Sequence, residues 1–418
     1  MIFTSIYGVV DGVFVSNFVG ETPFAAVNLI MPFCMLLGSL GFMVGTGGSA
    51  LVSKYLGEGN EKKANSVFSL LVYTSVAVGT VISVLGFLFV EQAAVLMGAE
   101  GDMVDYCVTY GKYLFVGIVP FVIQNEFQSF LIVAEKPQIG LGVTVAAGFT
   151  NIILDALFVA GLERGLEGAA LATVFSQFVG GVVPLVYFCF CKNSPIKLGK
   201  ADFDLGALGK TCANGSSEMM TNISMSFVNI LYNFQLMKFA GESGVAAYGV
   251  IMYTNFIFIA VFIGFSIGSA PIISYHYGAK NYAELKSLRK KSLVFIGVSS
   301  LILTVVAEFL AYPLSKIFVS YNAELFDMTV HAFMIYSLAF LMMGFNIFGS
   351  SFFTALNNGL VSAVLSFLRT LVFQVVAVLL LPVFFKLDGV WFSIIFAELL
   401  SVAVTAFFLV KMSRRYNY

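Results

Sequence analysis

Three polar residues stand out because of where they fall in an apolar sequence. Asp11 lies inside an apolar run, about nine residues before its end, or about 13 Å at helical rise. Asn151 and Asp155 lie inside another run, in NIILD. Their i,i+4 spacing puts both side chains on one face of a helix. An ionisable side chain deep in an apolar helix is expensive, so it is a candidate for function by default. Two carboxylates and an amide can offer oxygen ligands to Na⁺, or they can share, load and release a proton. The sequence therefore predicts a cation-coupling site at Asp11, Asn151 and Asp155, with H⁺ and Na⁺ both open as the ion.

The surroundings of these residues read as membrane. Hydrophobic residues make up 59% of 418, charged residues 11%, and mean hydropathy is +0.94. Soluble domains carry about 25% charged residues. Twelve apolar runs have helix-spanning length. They lie near 1–19, 24–53, 64–90, 107–134, 138–160, 166–190, 209–238, 245–275, 285–311, 327–355, 358–384 and 389–410. The expectation is an all-α integral membrane protein. Sixteen basic residues fall in one set of loops and the tail, among them Lys54, Lys136, Lys200, Arg289, Lys290 and Arg415. The opposite set holds Lys112, Arg164, Lys238, Lys316 and Lys386. The positive-inside rule puts the sixteen, and both termini, in the cytoplasm. The five cysteines show no disulfide or zinc spacing.

The chain also repeats itself. Residues 20–60 lie over 241–281 at an offset of 221 without a gap, with ten identities in 41 positions, including Gly47/Gly268, Ser53/Ser274 and Asn60/Asn281. Leu166-Glu167-Gly168 falls on Leu387-Asp388-Gly389 at the same offset. This predicts two pseudo-symmetric six-helix bundles, 1–190 and 209–418, joined by a cytoplasmic linker at 191–208. A duplicated half in a membrane chain points to a secondary transporter with its path between related bundles. The second-half partner of the first span starts near Gly209, which maps before Met1, so the first helix reads as truncated. At the same offset Asp11 meets Tyr232, Asn151 meets Val372 and Asp155 meets Val376. The scaffold is duplicated but the charge is not, so one coupling site is expected, in the first half.

Other polar residues inside spans carry less. Gln177 in span 6 and Glu218 in span 7 read as additional members of a transport path. Glu126, in a patch with Gln124, Asn125 and Gln128, reads as structurally paired, as do Glu398 and Arg369, the last pairing with a glutamate or snorkelling. Gly41, Gly45, Gly47 and Gly48, answered by Gly264 and Gly268, read as sites of close helix approach. The 45 Phe and 16 Met residues suit cationic or amphipathic ligands, through cation–π contact and adaptable packing.

Together the motifs resemble the MATE family of multidrug and toxic-compound extruders, in its bacterial branches. VDGVFVSNFVGETPFAAVNLIMP resembles its span 1 to span 2 signature, with Asp11 as the membrane aspartate. GTGGSALVSKYLGEGNEKKAN and SIGSAPIISYHYGAKNYAE resemble the glycine-ended loops after spans 2 and 8. NIILDALFVAGLERGLEGAALAT resembles the span 5 to span 6 signature. The resemblance covers essentially the whole chain. It implies twelve helices in two six-helix lobes, cation-coupled drug export across a bacterial plasma membrane, and an N-lobe cation site at Asp11, Asn151 and Asp155. Some branches place an acidic residue in span 7, where Glu218 falls. The expected partners are the bilayer and cationic or amphipathic small molecules, with no cofactor, ATP or nucleic acid, in a monomer.

Other classes fit less well. A flippase for lipid-linked precursors, of the same superfold, needs a basic cavity for pyrophosphate, yet Arg369 is almost alone at mid-depth. An intramembrane aspartyl protease needs G-x-G-D, which is absent, as is H-E-x-x-H. Gly209-Lys210-Thr211 imitates the end of a Walker A loop, but Asp204 stands where its first glycine belongs.

Overall fold

The computed structural model of the protein describes residue 19 and residues 21–191, 194–319 and 322–418. Asp11 lies outside them. The described residues form helices and no strand, as a chain that must satisfy every backbone group within the bilayer requires. Eight helices among them are long and apolar enough to cross a membrane, or nine if one bent pair counts as a single span.

The chain folds as two compact units, 1–215 and 216–418. The first contains α1 (Glu21–Gly57), α2 (Glu61–Leu96), α3 (Asp102–Val133), α4 (Pro137–Asp155) and α5 (Gly165–Phe190). A π-helical turn, Ala156–Gly161, continues α4. The helix α6 (Leu205–Gly278) gives its first turns to this unit and the rest to the second, and it breaks at Gly241, where φ is 59°. The second unit continues with α7 (Tyr282–Val319), α8 (Ala323–Ser337) and α9 (Phe340–Ala355), the last two bent by 47°. It ends with α10 (Gly359–Phe367), a π-helical turn Leu368–Val372, and α11 (Phe373–Tyr416), which breaks at Lys386 with φ of 53°.

The repeat is visible in local geometry. Asn60 and Asn281 cap α2 and α7, each accepting from the backbone N–H three residues on, at 3.2 Å in both cases. Such a cap satisfies one of the donors left open at a helix start. The residues just before them, Gly59 and Lys280, both have positive φ, 75° and 54°.

Glycine sets the helix spacing in the first unit. A side chain at Gly41 of α1 would strike the Val122 carbonyl of α3, and one at Gly47 would strike the Thr211 carbonyl of α6. Gly215 of α6 in turn leaves no room beside the Met43 carbonyl. These contacts tie the first turns of α6 to α1, which is why the first unit runs to 215 and not to 190. Gly264 and Gly268 differ from the expectation: among the described residues nothing lies within 4 Å of a Cβ built there.

The polar stretch expected to be a linker is docked along α2. The Lys197 and Gly199 N–H groups donate to Asn65 Oδ1 at 2.6 Å and Ser69 Oγ at 3.0 Å. Tyr73 donates to the Gly199 carbonyl at 2.9 Å, and the Asp202 N–H to Ser66 Oγ at 2.9 Å. Ile196 is fully buried beneath it. Large apolar side chains point outward elsewhere, such as Leu88 and Phe309, 63% and 79% exposed. A surface of that kind belongs against lipid.

Candidate functional site

The site begins in the first unit with α4. Its residues Asn151 and Asp155 are 1% and 0% exposed and lie one turn apart. Asp155 ends the regular helix, and the wider π turn starts at the next residue. Such turns release backbone groups from the usual ladder and recur at functional sites. The helix α5 runs back antiparallel, and a side chain at Gly168 would meet the Phe158 backbone at 3.1 Å. That contact fixes the register. Five residues on along α5 and five back along α4, Thr173 lies level with the stretch between Asn151 and Asp155. The Asn151 Oδ1 and Thr173 Oγ1 atoms are buried without a hydrogen-bond partner among the described residues. A buried acceptor without a partner asks for an explanation, an unseen ion being one. Sequence reasoning passed over Thr173, whose signal was a hydroxyl in the span packed beside NIILD.

Gln177 sits one turn further along α5. Its amide oxygen packs against Gly117 of α3 and has no hydrogen bond among the described residues. It therefore faces α3 and is not seen joined to Asn151 and Asp155. Among the described residues no group of three His, Cys, Asp or Glu side chains is placed to hold a metal ion. Asn151 and Asp155 supply two oxygen-bearing side chains, and the expected third member, Asp11, lies outside the described residues.

Glu126 departs from the sequence expectation. It was expected to be structurally paired; it is 0% exposed, and the group that meets its carboxyl is the Ser75 hydroxyl of α2, with no cationic side chain in ion-pair distance among the described residues. It lies on α3 where Gly45 lets α1 approach, 3.1 Å from its Cα to a Cβ built on that glycine. The buried Ser75 hydroxyl lies beside this carboxyl and is its polar neighbour from α2. A carboxylate kept in this setting is a functional candidate on physical grounds.

The second unit holds a different arrangement. Arg369, in the π turn after α10, makes an ion pair with Glu398 of α11, Nη2 to Oε1 at 2.8 Å, with Nε 2.8 and 3.1 Å from the two carboxylate oxygens. Asn346 of α9 donates to the same carboxylate at 2.6 Å and accepts from Thr405 at 3.1 Å. This is the structural pairing expected for Arg369 and Glu398. Tyr232, the repeat partner of Asp11, donates to Gln374 at 3.0 Å and stacks on Tyr248 with centroids 5.1 Å apart. Glu218 is a half-buried residue of α6 within electrostatic reach of Arg369. It belongs to this unit, whereas Asn151 and Asp155 belong to the first.

Comparison with known proteins agrees with this architecture. The Multidrug export protein MepA of Staphylococcus aureus (strain MSSA476) is 25% identical over 415 residues, 98% of this chain and 90% of the relative. MepA of Staphylococcus haemolyticus (strain JCSC1435) is 24% identical over 414 residues, with the same coverage. Among solved structures, an outward-facing multidrug resistance MATE family transporter of the MOP superfamily superposes with a TM-score of 0.94 at 22% identity, over 100% of this chain and 94% of that one. A MOP superfamily transporter from Pyrococcus furiosus, described as having a binding pocket of reverse polarity, superposes with a TM-score of 0.92 at 21% identity, over the same shares. At such identity the structures establish the fold. The MatE family profile matches residues 1–157 and 219–380, most of the chain and part of both units, and the chain therefore belongs to the MatE family, a family of transporters and not of enzymes.

Proposed function

We propose that this protein is a cation-coupled multidrug exporter of a bacterial plasma membrane. It has twelve spans in two six-helix lobes, both termini cytoplasmic, and works as a monomer without ATP or cofactor. H⁺ or Na⁺ moving inward drives cationic or amphipathic molecules outward as the lobes alternate access. Asp11, Asn151 and Asp155 form the cation site, with Thr173 beside it. The observation that carries this reading is the buried pair Asn151 and Asp155 at the start of a π turn, with acceptor atoms of Asn151 and Thr173 left without partners. The names of the MepA relatives support drug export as the task. A flippase reading loses its one mid-depth arginine, since Arg369 is already committed to Glu398.

Linkage gives the proposal a sign. Ion and drug must favour different states, so ion binding should weaken drug binding. The test is ethidium efflux from proteoliposomes under imposed pH or Na⁺ gradients. Efflux driven by one of the two gradients is expected. Efflux that ignores both gradients overturns the reading.

A further inference from the structure

At the offset of 221, α8 and α9 of the second unit answer a single helix of the first, α3, which runs unbroken from Asp102 to Val133. The second unit parts this stretch at Leu338 and Ala339, and the two pieces meet at a bend of 47°. The bend is not a proline's, since Pro120 of α3 falls on Leu341. Across the joint the backbone bonds run from i+3 to i. The Leu338 N–H donates to the Ile335 carbonyl at 3.3 Å, Ala339 to Tyr336 at 3.0 Å and Leu341 to Leu338 at 3.3 Å. A short stretch of this kind within a helix is poorly bonded and often marks a hinge. On its inner side the Ser337 hydroxyl donates to the Glu308 carboxylate of α7 at 2.5 Å, which ties the joint in place.

About 9 Å from the joint along α8, His331 Nε2 lies 3.0 Å from Asp388 Oδ1. Asp388 stands in the turn where α11 breaks, and that turn is tightly held. Lys386 adopts φ 53° and ψ −126°, a conformation that glycine takes readily and a side chain resists. Its match in the first unit is Gly165, with φ of 57°. A Cβ at Gly389 would lie 2.4 Å from the Leu381 carbonyl, so the turn packs directly onto the helix before it. Asp388 is thus a fixed post, and α8 is the jointed arm that reaches it. The side chains of His331 and Asp388 are 59% and 49% exposed, so protons from solvent reach both. The other ionisable side chains of the elements packed at this end are Glu324, Asp327 and Tyr336 of α8, Glu308, Tyr312 and Lys316 of α7, and Lys386 of α11. Among the described residues none of these makes an ion pair.

We infer that α8 is a jointed arm latched to the α11 turn by His331 and Asp388, and that acid at this face tightens the latch. Histidine changes charge between about pH 5 and 8. At the acid end two opposite charges face each other across 3.0 Å. At the alkaline end a neutral ring faces the carboxylate, and the charge attraction is gone. The Ser337–Glu308 bond stays at the joint, so loosening the latch lets the far end of α8 swing about residues 338–339. The first unit has no counterpart, because His331 falls on Tyr110 and Ser337 on Val116 within the continuous α3. Only the name of the face, external, rests on the membrane orientation proposed above.

The test uses the full chain in detergent micelles, with amide hydrogen exchange of residues 323–339 followed by mass spectrometry between about pH 5.5 and about pH 8. Each variant's rate is divided by that of the unaltered chain at the same pH, which cancels the intrinsic pH dependence of exchange. For His331→Gln and for Asp388→Asn the ratio should be near one at the alkaline end and rise to between about twofold and fivefold at the acid end, the range an exposed ion pair supports. His331→Arg keeps the charge at every pH, so its ratio should be near one in acid and fall below one, by a similar factor, in alkali. Peptides of α5 should keep a ratio near one throughout. A flat ratio for His331→Gln would assign any pH dependence to Glu308 or Asp327 and overturn the proposal. So would His331→Arg behaving like His331→Gln, or an equal rise in the α5 peptides, which would signal general loosening. No gradient and no drug are present, so failure here is separable from failure of the transport reading.

Discussion

In the second unit Glu398 accepts from Arg369 and Asn346, and Asn346 accepts from Thr405. The repeat-matched positions in the first unit are Gln177 for Glu398, Gly148 for Arg369 and Asn125 for Asn346. There Asn125 turns back to the Phe121 carbonyl at 3.0 Å, and the Gln177 oxygen has no hydrogen bond among the described residues. Around Glu398 the second unit closes its buried polar groups into a network, though elsewhere in it atoms such as Asn255 Oδ1 and Trp391 Nε1 also have no partner among the described residues; the first unit leaves acceptors of Asn151, Thr173 and Gln177 unmatched. A satisfied network holds helices together, whereas unmatched oxygens raise the energy of the empty protein and ask for a cation or proton. The comparison teaches that duplication copied the helices and left each half free to spend its polar positions differently.

If the second unit uses its polar groups as glue, damage there should appear as lost stability. Arg369→Met leaves Glu398 buried and unpaired, and should cost about 3–5 kcal/mol in unfolding experiments in mixed micelles. The double change Arg369→Met/Glu398→Met should recover most of that. Equal losses in single and double variants would break the contrast, because the pair would then not be what the helices need.

Damage at α4 should act on transport. Asp155→Asn and Asp11→Asn should each reduce gradient-driven efflux on the order of a hundredfold while drug binding survives. The competition between ion and drug should vanish in both. If both act in the one proposed site, the two together should be no worse than either alone. Full efflux by Asp155→Asn with unchanged ion dependence would move the site elsewhere, with Glu218 next in line.

Glu126 sharpens the comparison from inside the first unit. Glu126→Gln removes the ionisable group while nearly keeping its shape beside Ser75, so stability should change by no more than about 1 kcal/mol. It should also lower gradient-driven efflux several-fold. A larger fall in stability in the same detergent would show that Glu126 is glue after all.

The smallest effect tests where the two units agree. Asn60→Ala and Asn281→Ala each remove a cap of the same geometry and should each cost about 1 kcal/mol. Unfolding free energies differing by more than about 0.5 kcal/mol would mean the repeat is not energetically matched at its clearest point.

Much of this was legible in the residues. Hydropathy announced a helical membrane protein, since a spanning chain must keep its backbone hydrogen bonds within each helix. The spacing of Asn151 and Asp155 placed them on one face, because local periodicity survives any tertiary arrangement. The identity of Asn60 and Asn281 marked two equivalent helix starts. Their capping role follows from nearby backbone alone.

What the sequence could not decide were partnerships between distant residues. Arg369 and Glu398 lie 29 positions apart, and only the packing of the π turn against α11 selects Glu398 as the partner. Glu126 is as acidic as Glu398, and one-dimensional reading gave both the same structural role. The fold separates them, because Gly45 brings α1 over Glu126 and leaves it the Ser75 hydroxyl, whereas Glu398 receives a guanidinium. The docking of residues 197–202 on α2 was equally hidden. Composition and period are properties of a segment, so the sequence determines them by itself. Whether a buried charge is answered depends on which side chain another helix brings within about 3 Å, and only the tertiary structure decides that.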